Sequence, residues 1–435
     1  MKGVILLSSV LGTCLAVAVD IRYVAANGND SADGLSPETA WRTLTKLNAS
    51  LPSGAEARLR RGDVFYGELK VKGGPDAEHA TVITAFGNGP RPEISHYKIA
   101  RPEERVWENT TNNIWRLNLR DPSRFFGDLS SSDFNVGFMR VTGSIHGTKR
   151  DRPEELVTWL EFCCQDGYVY VWSMFCPAVL SSDIRFACNG RCASPQSNTT
   201  FRDILFRGCG GHGMQFGCEN VRVEGCGFRE LGGSYLVWGG DPRTRYGNGV
   251  ECWAGARHAF VRSCDFADIY DVAFTIQGNS PERSWQDIRM TDCTVDRCTQ
   301  AFEIWAAGCK PGIGMIDCSF ERNVVNGCGW SWGAGGRPSA PLLVYEMSTD
   351  TCEILVQNNV FRGSRAETLH KSGGLSELPK GYVVKDNEIH LADGATIGNI
   401  GLFGRRHWSL LREQELHSQN QIRKEGEIQD GKKSR

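Results

Sequence analysis

Short segments in which apolar and polar residues alternate recur through the second half of the chain. Each segment is followed by a cysteine or an asparagine, as in Val221-Arg-Val-Glu-Gly-Cys226. Such alternation is typical of a β-strand with one buried face. The residues at the marked position are Cys209, Cys226, Cys264, Cys293, Cys318, Asn359 and Asn387, at intervals of 17, 38, 29, 25, 41 and 28 residues.

Unequal intervals between similar strands indicate a constant core with loops of variable length. A strand that cannot bury its apolar face alone does so by stacking on its neighbours. We therefore predict an all-β fold, a single-stranded right-handed parallel β-helix, in which the cysteines and asparagines form an inward-facing ladder. The alternative is a β-sandwich, which would turn about every 8–12 residues without repeating one turn residue.

A second strand follows most members of this repeat. It occurs as GVECW from Gly249, as AFTIQ from Ala273 and as AFEIW from Ala301, and a fourth copy, LVYE, begins at Leu343. Because alternate residues of a strand point to opposite faces, two outward columns are expected. The first column contains Glu251, Thr275 and Glu303, and the second column contains Trp253, Gln277 and Trp305.

The remaining segments divide the chain into five parts. The predicted parts are a signal peptide over 1–18, an N-terminal part of the β-helix with a cap over 19–100, an irregular β-rich insertion held by disulfides over 101–200, the main coils over 201–400, and a capping helix from Trp408 to His417 with a disordered charged tail within 401–435.

Composition and charge narrow the class of protein. The 435 residues carry a formal net charge of -2, without the positive excess of a nucleic-acid-binding protein. Residues 4–17 form an apolar run too short to span a bilayer, and Ala16-Val17-Ala18 is typical of a signal-peptidase site. We expect cleavage after Ala18 and a secreted or periplasmic protein, with a retained membrane anchor as the alternative. In such an oxidising compartment, some of the sixteen cysteines that follow Cys14 are expected to pair.

Two stretches carry a family likeness. The opening YVAANGNDSADGLSPETAWRTL resembles the start of secreted right-handed β-helix proteins of the pectin-lyase-like superfamily, and the elements RYGNGVECW, YDVAF, AFEIW and GWSWGAGGRP between Arg245 and His370 resemble a bacterial-type branch of them. This resemblance implies the β-helix fold. It leaves the function open among hydrolases, lyases, epimerases and adhesins.

Better-defined enzymes of this superfamily do not match. The sequence GGHG at 210–213 is similar to one polygalacturonase motif, but the aspartate motifs that accompany it are absent. The lysine-bearing motif of the chondroitinase-B-like lyases is also absent.

The first column suggests carboxylate chemistry. Glu251 and Glu303 lie two coils apart, so their Cα atoms should be about 9–10 Å apart. Two carboxyls about 6.5–9.5 Å apart leave room for a sugar and a water, as in inverting glycosidases. One would protonate the glycosidic oxygen while the other activates water, and Asp271 would assist either. The alternative interpretation is that these are solvated strand charges.

Aromatic and basic residues nearby suit sugar binding, because an aromatic ring matches the C–H face of a sugar ring. Basic side chains would orient a hydroxyl or a carboxylate. Inter-loop packing and surface salt bridges are the alternatives. The candidate substrate-binding residues are Trp253, Trp305, Gln277, Arg245, Tyr246, Trp330, Trp332 and Arg337.

We therefore predict a monomeric, polysaccharide-active glycoside hydrolase that binds neither nucleic acid nor, after signal removal, membrane. One alternative is a polysaccharide lyase that uses Arg245, Tyr246 or His212 as base together with Ca²⁺. The other is a glycan-binding surface protein without catalysis. No metal ligands are assigned, since the cysteines lack the paired spacing of a zinc site.

Overall fold

The computed structural model describes residues 20–126, 134–236, 244–335, 339–349, 351–365, 367–372, 378–391, 397–402, 405–407 and 410–424. The predicted signal peptide, Trp408 and Arg337 lie outside these residues. No helix of the described part is long and apolar enough to cross a bilayer.

Three long sheets form the faces of the coil, and the chain passes through the three sheets in turn. The first sheet contains Ile21–Val24, Glu56–Arg60, Thr81–Phe86, Thr199–Arg202, Glu219–Glu224, Arg257–Arg262, Trp285–Thr291, Met315–Glu321, Cys352–Gln357 and Tyr382–Lys385. The second contains Val64–Tyr66, Glu93–Ser95, Leu205–Cys209, Gly227–Leu231, Asp265–Ile269, Thr294–Asp296, Val324–Asn326, Val360–Arg362, Glu388–Leu391 and Gln421–Lys424. The third contains Arg191–Ala193, His212–Phe216, Val250–Cys252, Val272–Asn279, Gln300–Ala307, Leu342–Met347, Leu369–Ser372, Gly398–Leu402 and Arg405–His407.

Parallel pairing joins each strand to the corresponding strand of the next coil. Only the last pair of the third sheet, Gly398–Leu402 with Arg405–His407, is antiparallel among the described pairs of these three sheets. Each coil turns apolar side chains inward, and phenylalanines from successive coils stack, as Phe206, Phe228 and Phe266 do at centroid distances of 5.1 and 4.8 Å. The core is therefore one column of side chains that runs along the axis of the coil.

The inward ladder exists, but two of its predicted positions are wrong. Backbone N–H groups donate to the side chain one coil further on, from Cys264 to Cys293 Sγ at 3.3 Å and from Cys293 to Asn323 Oδ1 at 2.9 Å. The asparagine part continues through Asn323, Asn359, Asn387 and Asn420. Cys318 lies instead within a strand of the first sheet, and Cys209 ends a strand of the second.

An insertion separates the first coils from the rest. Its five-stranded antiparallel sheet contains Tyr97–Ala100, Phe125–Phe126, Val136–Val141, Ser144–His146 and Ile184–Cys188, and its four-stranded sheet contains Glu108–Thr111, Ile114–Asn118, Phe162–Gln165 and Tyr168–Trp172. Ser234–Tyr235 and Arg245–Tyr246 form a separate two-stranded sheet. The insertion has its own apolar core, built around Phe162, Phe186 and Leu117.

The expected disulfides are absent from the described residues. No disulfide joins any two of the sixteen cysteines from Cys163 to Cys352, and most of these cysteines are buried.

Helices are few and short. The α-helices are Leu44–Ser50, Pro177–Leu180 and Leu410–Gln419, and the 3-10 helices are Pro37–Thr39, Glu104–Val106, Pro122–Arg124 and Pro153–Glu155. The last α-helix overlaps the helix predicted from Trp408 to His417, and it begins and ends two residues later.

Candidate functional site

The third sheet aligns the residues of the first column. Glu251 pairs with Thr275, and Thr275 pairs with Glu303 on the next strand. The column is longer than the sequence analysis proposed: it begins at Gln215 and continues past Glu303 to Leu343 and His370. From Gln215 to His370, six coils therefore contribute one residue each to a single line, and the register continues to Asn399 in the next coil.

Glu251 is buried, which corrects the expectation that it lines an open furrow. Its residue surface is 1% exposed. Its Oε2 accepts hydrogen bonds from Asn248 Nδ2 and Gln277 Nε2, each at 2.7 Å, and its Oε1 accepts one from Gln215 Nε2. Three side-chain amides thus stabilise the carboxylate in place of water.

His212 closes the same cluster from the preceding coil. Its Nδ1 accepts a hydrogen bond from the backbone N–H of Asn248 at 3.1 Å and lies 3.3 Å from Glu251 Oε2. Burial lowers the pKa of His212, although the nearby charge of Glu251 opposes this shift. The ring is therefore neutral at pH 7 with its proton on Nε2, and its edge packs against Tyr246 at a centroid distance of 5.0 Å.

Glu303, the member of the first column after Thr275, is half-buried. Thr275, between the two glutamates, is fully buried, and its hydroxyl has no hydrogen-bond partner within the described part of the chain. Asp271 is buried at the start of the strand that carries Thr275, where its carbonyl accepts from the N–H of Gln300. Of the three predicted carboxylates, only Glu303 is partly accessible to a ligand.

In the second column, the two tryptophans lie beside the carboxylate cluster. Trp253 and Trp305 approach to a centroid distance of 6.2 Å at an interplanar angle of 49°, on either side of Gln277. Gln277 in turn donates a hydrogen bond to Glu251, so Gln277 links the aromatic pair to the buried carboxylate. The Trp305 indole N–H has no hydrogen-bond partner among the residues described.

The side chains of Arg245 and Tyr246, which were predicted to bind substrate, form hydrogen bonds within the protein. The Arg245 guanidinium donates to the carbonyls of Gly233, Gly147 and Gly137 at 2.6–2.8 Å and stacks on Tyr270. The Tyr246 hydroxyl donates to Asn189 Oδ1 at 2.6 Å. Arg245 therefore ties the insertion to the coil.

Trp332 is also a packing residue. Its ring contacts Phe138 and Tyr270 at centroid distances of 4.9 and 5.0 Å, and its indole N–H donates to the carbonyl of Asp268. Its ring therefore packs between the insertion and the coil and is not placed to stack on a sugar.

Trp330, by contrast, is 61% exposed. Its indole N–H donates to the carbonyl of Gly363, and the guanidinium of Arg365 lies 5.6 Å from the ring centroid. The ring is accessible, but it lies at the turn after Val324–Asn326, away from the first column.

Sequence reasoning missed the residues beyond Glu303. The strand Leu342–Met347 has a register shift opposite Trp305, so that Tyr345 lies next to the second column and is 42% exposed. His370 follows Leu343 in the first column, and its Nδ1 lies 2.7 Å from Glu367 Oε1. The alternation at Leu343 and at Leu369–Ser372 carries the signal that extends the column.

Metal binding has no support at this site. Among the residues that the structure describes, no group of three or more histidine, cysteine, aspartate or glutamate side chains is arranged to hold a metal ion.

Comparison with known proteins bears on the fold. A family model described as a right-handed beta helix region matches residues 178–338. Together with the three parallel sheets, this match confirms the predicted right-handed parallel β-helix fold. No curated protein matches the chain.

Three solved structures have a similar course of the chain. XylC in complex with xylose is 10% identical, with 93% of this chain and 82% of that chain covered and a TM-score of 0.47. The lacto-N-biosidase GH136 from Eubacterium ramulus is 10% identical, with coverages of 93% and 68% and a TM-score of 0.36. Pectate lyase Pel9A is 11% identical, with coverages of 91% and 80% and a TM-score of 0.35.

Proposed function

We propose that this protein is a glycoside hydrolase that cleaves polysaccharide on the outer face of the third sheet, with Glu303 as the proton donor. The observation that carries this proposal is the position of Glu303. It is the half-buried carboxyl of the first column, in register with Thr275 and beside Trp305 of the second column.

Glu303 has the surroundings that a general acid needs. The half-buried rings of Trp253 and Trp305 offer a surface against which a sugar would stack. A glycosidic oxygen placed over the column would then lie within reach of Glu303.

The roles of the other two carboxylates differ from that of Glu303. Both oxygens of Glu251 already accept amide hydrogen bonds, so Glu251 acts as a positioning residue that holds Gln215 and Gln277 in place. Asp271 remains the predicted assisting carboxylate on the preceding coil.

The test is a product assay on a panel of neutral and acidic polysaccharides. We expect new reducing ends without the ultraviolet absorbance of unsaturated sugars. Glu303→Gln should lower the rate at least 100-fold, in keeping with the loss of a general acid. The matched control is Glu353→Gln, at an exposed strand position of the first sheet, which should keep full activity.

Other outcomes would overturn the proposal. Unsaturated products would identify a lyase. Binding to a polysaccharide without any product would identify a glycan-binding protein, and full activity of Glu303→Gln would remove Glu303 from the mechanism.

A further inference from the structure

A histidine–carboxylate pair lies on the same column as Glu303. Glu367, which is buried, accepts a hydrogen bond from Nδ1 of His370 at 2.7 Å. A carboxylate on Nδ1 fixes the tautomer and leaves a lone pair on Nε2. The His370 side chain is 14% exposed, and no described residue bonds to its Nε2.

Glu303 and His370 lie on one column of the third sheet. Leu343 separates the two residues in the column, so their Cα atoms are two strand spacings apart, about 9–10 Å. Leu343 is 4% exposed, and Tyr345, which is 42% exposed, lies on the same strand. Lys371 Nζ donates to the carbonyl of Tyr345 at 3.1 Å and fixes that strand at the site.

We propose that His370, oriented by Glu367, is the general base that acts together with Glu303. This inference rests on the proposed function and adds a second catalytic residue to it. Neither Glu251, whose oxygens are occupied, nor His212, whose Nδ1 accepts a backbone hydrogen bond, offers an equivalent lone pair to a ligand.

The reaction balances with water as the only co-substrate. His370 Nε2 takes a proton from water as the water oxygen forms a bond to the anomeric carbon. The bond from that carbon to the glycosidic oxygen breaks, and this oxygen receives the proton of Glu303. Exchange with solvent then removes the proton from His370 and returns one to Glu303. Attack from the face opposite the leaving group would invert the anomeric centre.

The experiment is chemical rescue of His370→Ala on the polysaccharide that the wild-type protein cleaves. We expect kcat to fall at least 100-fold with little change in KM, and added imidazole to restore part of it. Glu367→Gln should lower kcat about 10-fold or more while keeping the fold. The matched control is His390→Ala, since His390 forms the same kind of pair with Glu388 at 2.6 Å on the second sheet, and it should keep full activity.

The outcomes separate this inference from the proposed function. If the wild-type protein cleaves polysaccharide and Glu303→Gln is inactive, but folded His370→Ala keeps its activity or is not rescued by imidazole, the assignment of His370 is wrong and the hydrolase stands. If the wild-type protein releases no reducing ends from any polysaccharide, both fail. Should His370→Ala not fold, His370→Asn serves in its place, and full activity of that variant overturns the assignment.

Discussion

At the scale of single residues, the two glutamates of the first column have opposite surroundings. Glu251 is enclosed by amide donors from three side chains, whereas Glu303 is partly open to solvent. A buried carboxylate that is fully hydrogen-bonded contributes to stability through its partners, and removal of its charge leaves those partners unsatisfied. The two residues should therefore respond differently to the same substitution.

Glu251→Gln should lower the free energy of unfolding by about 1–3 kcal/mol, because the new NH₂ group faces amide donors. Glu303→Gln should lower it by less than Glu251→Gln does, since the carboxyl of Glu303 is only half-buried. Urea unfolding of both variants beside the wild-type protein measures the difference. Equal stability of the two variants would contradict the structure of the amide cluster.

The alternation in sequence predicts which residues share a face, but not how deeply that face is covered. It places Glu251, Thr275 and Glu303 in one column, and the structure has that register. It does not reveal that Asn248 and His212 from neighbouring turns close over Glu251. The sequence also does not reveal that the Arg245 guanidinium donates to the backbone carbonyls of three glycines that are remote along the chain.

At the scale of elements, six successive turns into the second sheet share one backbone conformation. The residue before each ladder member from Cys226 to Asn387 has a positive φ of 53–62°, at Gly225, Ser263, Asp292, Arg322, Asn358 and Asp386. Glycine, asparagine and aspartate adopt this conformation most readily. The hydrogen bond between neighbouring coils, rather than the identity of the residue, defines the ladder.

This explains why two ladder positions were predicted wrongly. Alignment on cysteine selects Cys318, which also follows a residue of positive φ, whereas the hydrogen bond donated by the Cys293 N–H selects Asn323. The resulting intervals between bonded members are 29, 30, 36, 28 and 33 residues, more even than those obtained from the cysteines.

Asn359→Ala should destabilise the coil by roughly 2–5 kcal/mol, because it leaves buried polar groups on both neighbouring coils without partners. The Asn359 side chain accepts from the N–H and the amide of Asn323 and donates to Asn387 and to the carbonyl of Phe320. Thermal unfolding measures the effect. Cys226→Ala, at the same turn position, serves as the control and should cost about 1 kcal/mol. Similar losses for both variants would contradict a hydrogen-bonded asparagine ladder.

At the scale of the whole molecule, a buried ionic cluster joins the insertion to the coil. Glu230 of the second sheet accepts from the Tyr97 hydroxyl at 2.6 Å and from two nitrogens of Arg207 at 2.7 Å. Burial by itself would raise the pKa of Glu230, but the Arg207 guanidinium and the Tyr97 hydroxyl outweigh it, and the pKa is lowered. The charged form of Glu230 is therefore stabilised in the folded protein.

A lowered carboxyl pKa gives stability that is complete above the unfolded value near 4.3 and is lost as the pH falls through the folded value. Glu230→Gln should therefore lower stability by about 3 kcal/mol at pH 7, with a difference from the wild-type protein that shrinks below about pH 4. Thermal unfolding between about pH 3 and 7 follows this difference. A difference that does not change with pH would show that the charge of Glu230 does not hold the insertion.

The expectation of disulfides came from the predicted secretory compartment and not from the repeat. Stacking places one small side chain per coil in the core, and a cysteine fills that volume without forming a disulfide. Cys264 and Cys293 illustrate this, since their thiols donate to the carbonyls of Arg262 and Thr291 instead of pairing. The repeat in the sequence predicts the coil, whereas the packing of the core determines whether its cysteines form disulfides.

The most direct test of hydrolysis at the first column is cleavage of the best polysaccharide substrate in ¹⁸O-labelled water, followed by mass spectrometry of the products. The account predicts one ¹⁸O atom at each new reducing end with the wild-type protein and no labelled product with Glu303→Gln. Products that carry a double bond and no label, or equal labelling by Glu303→Gln, would contradict it.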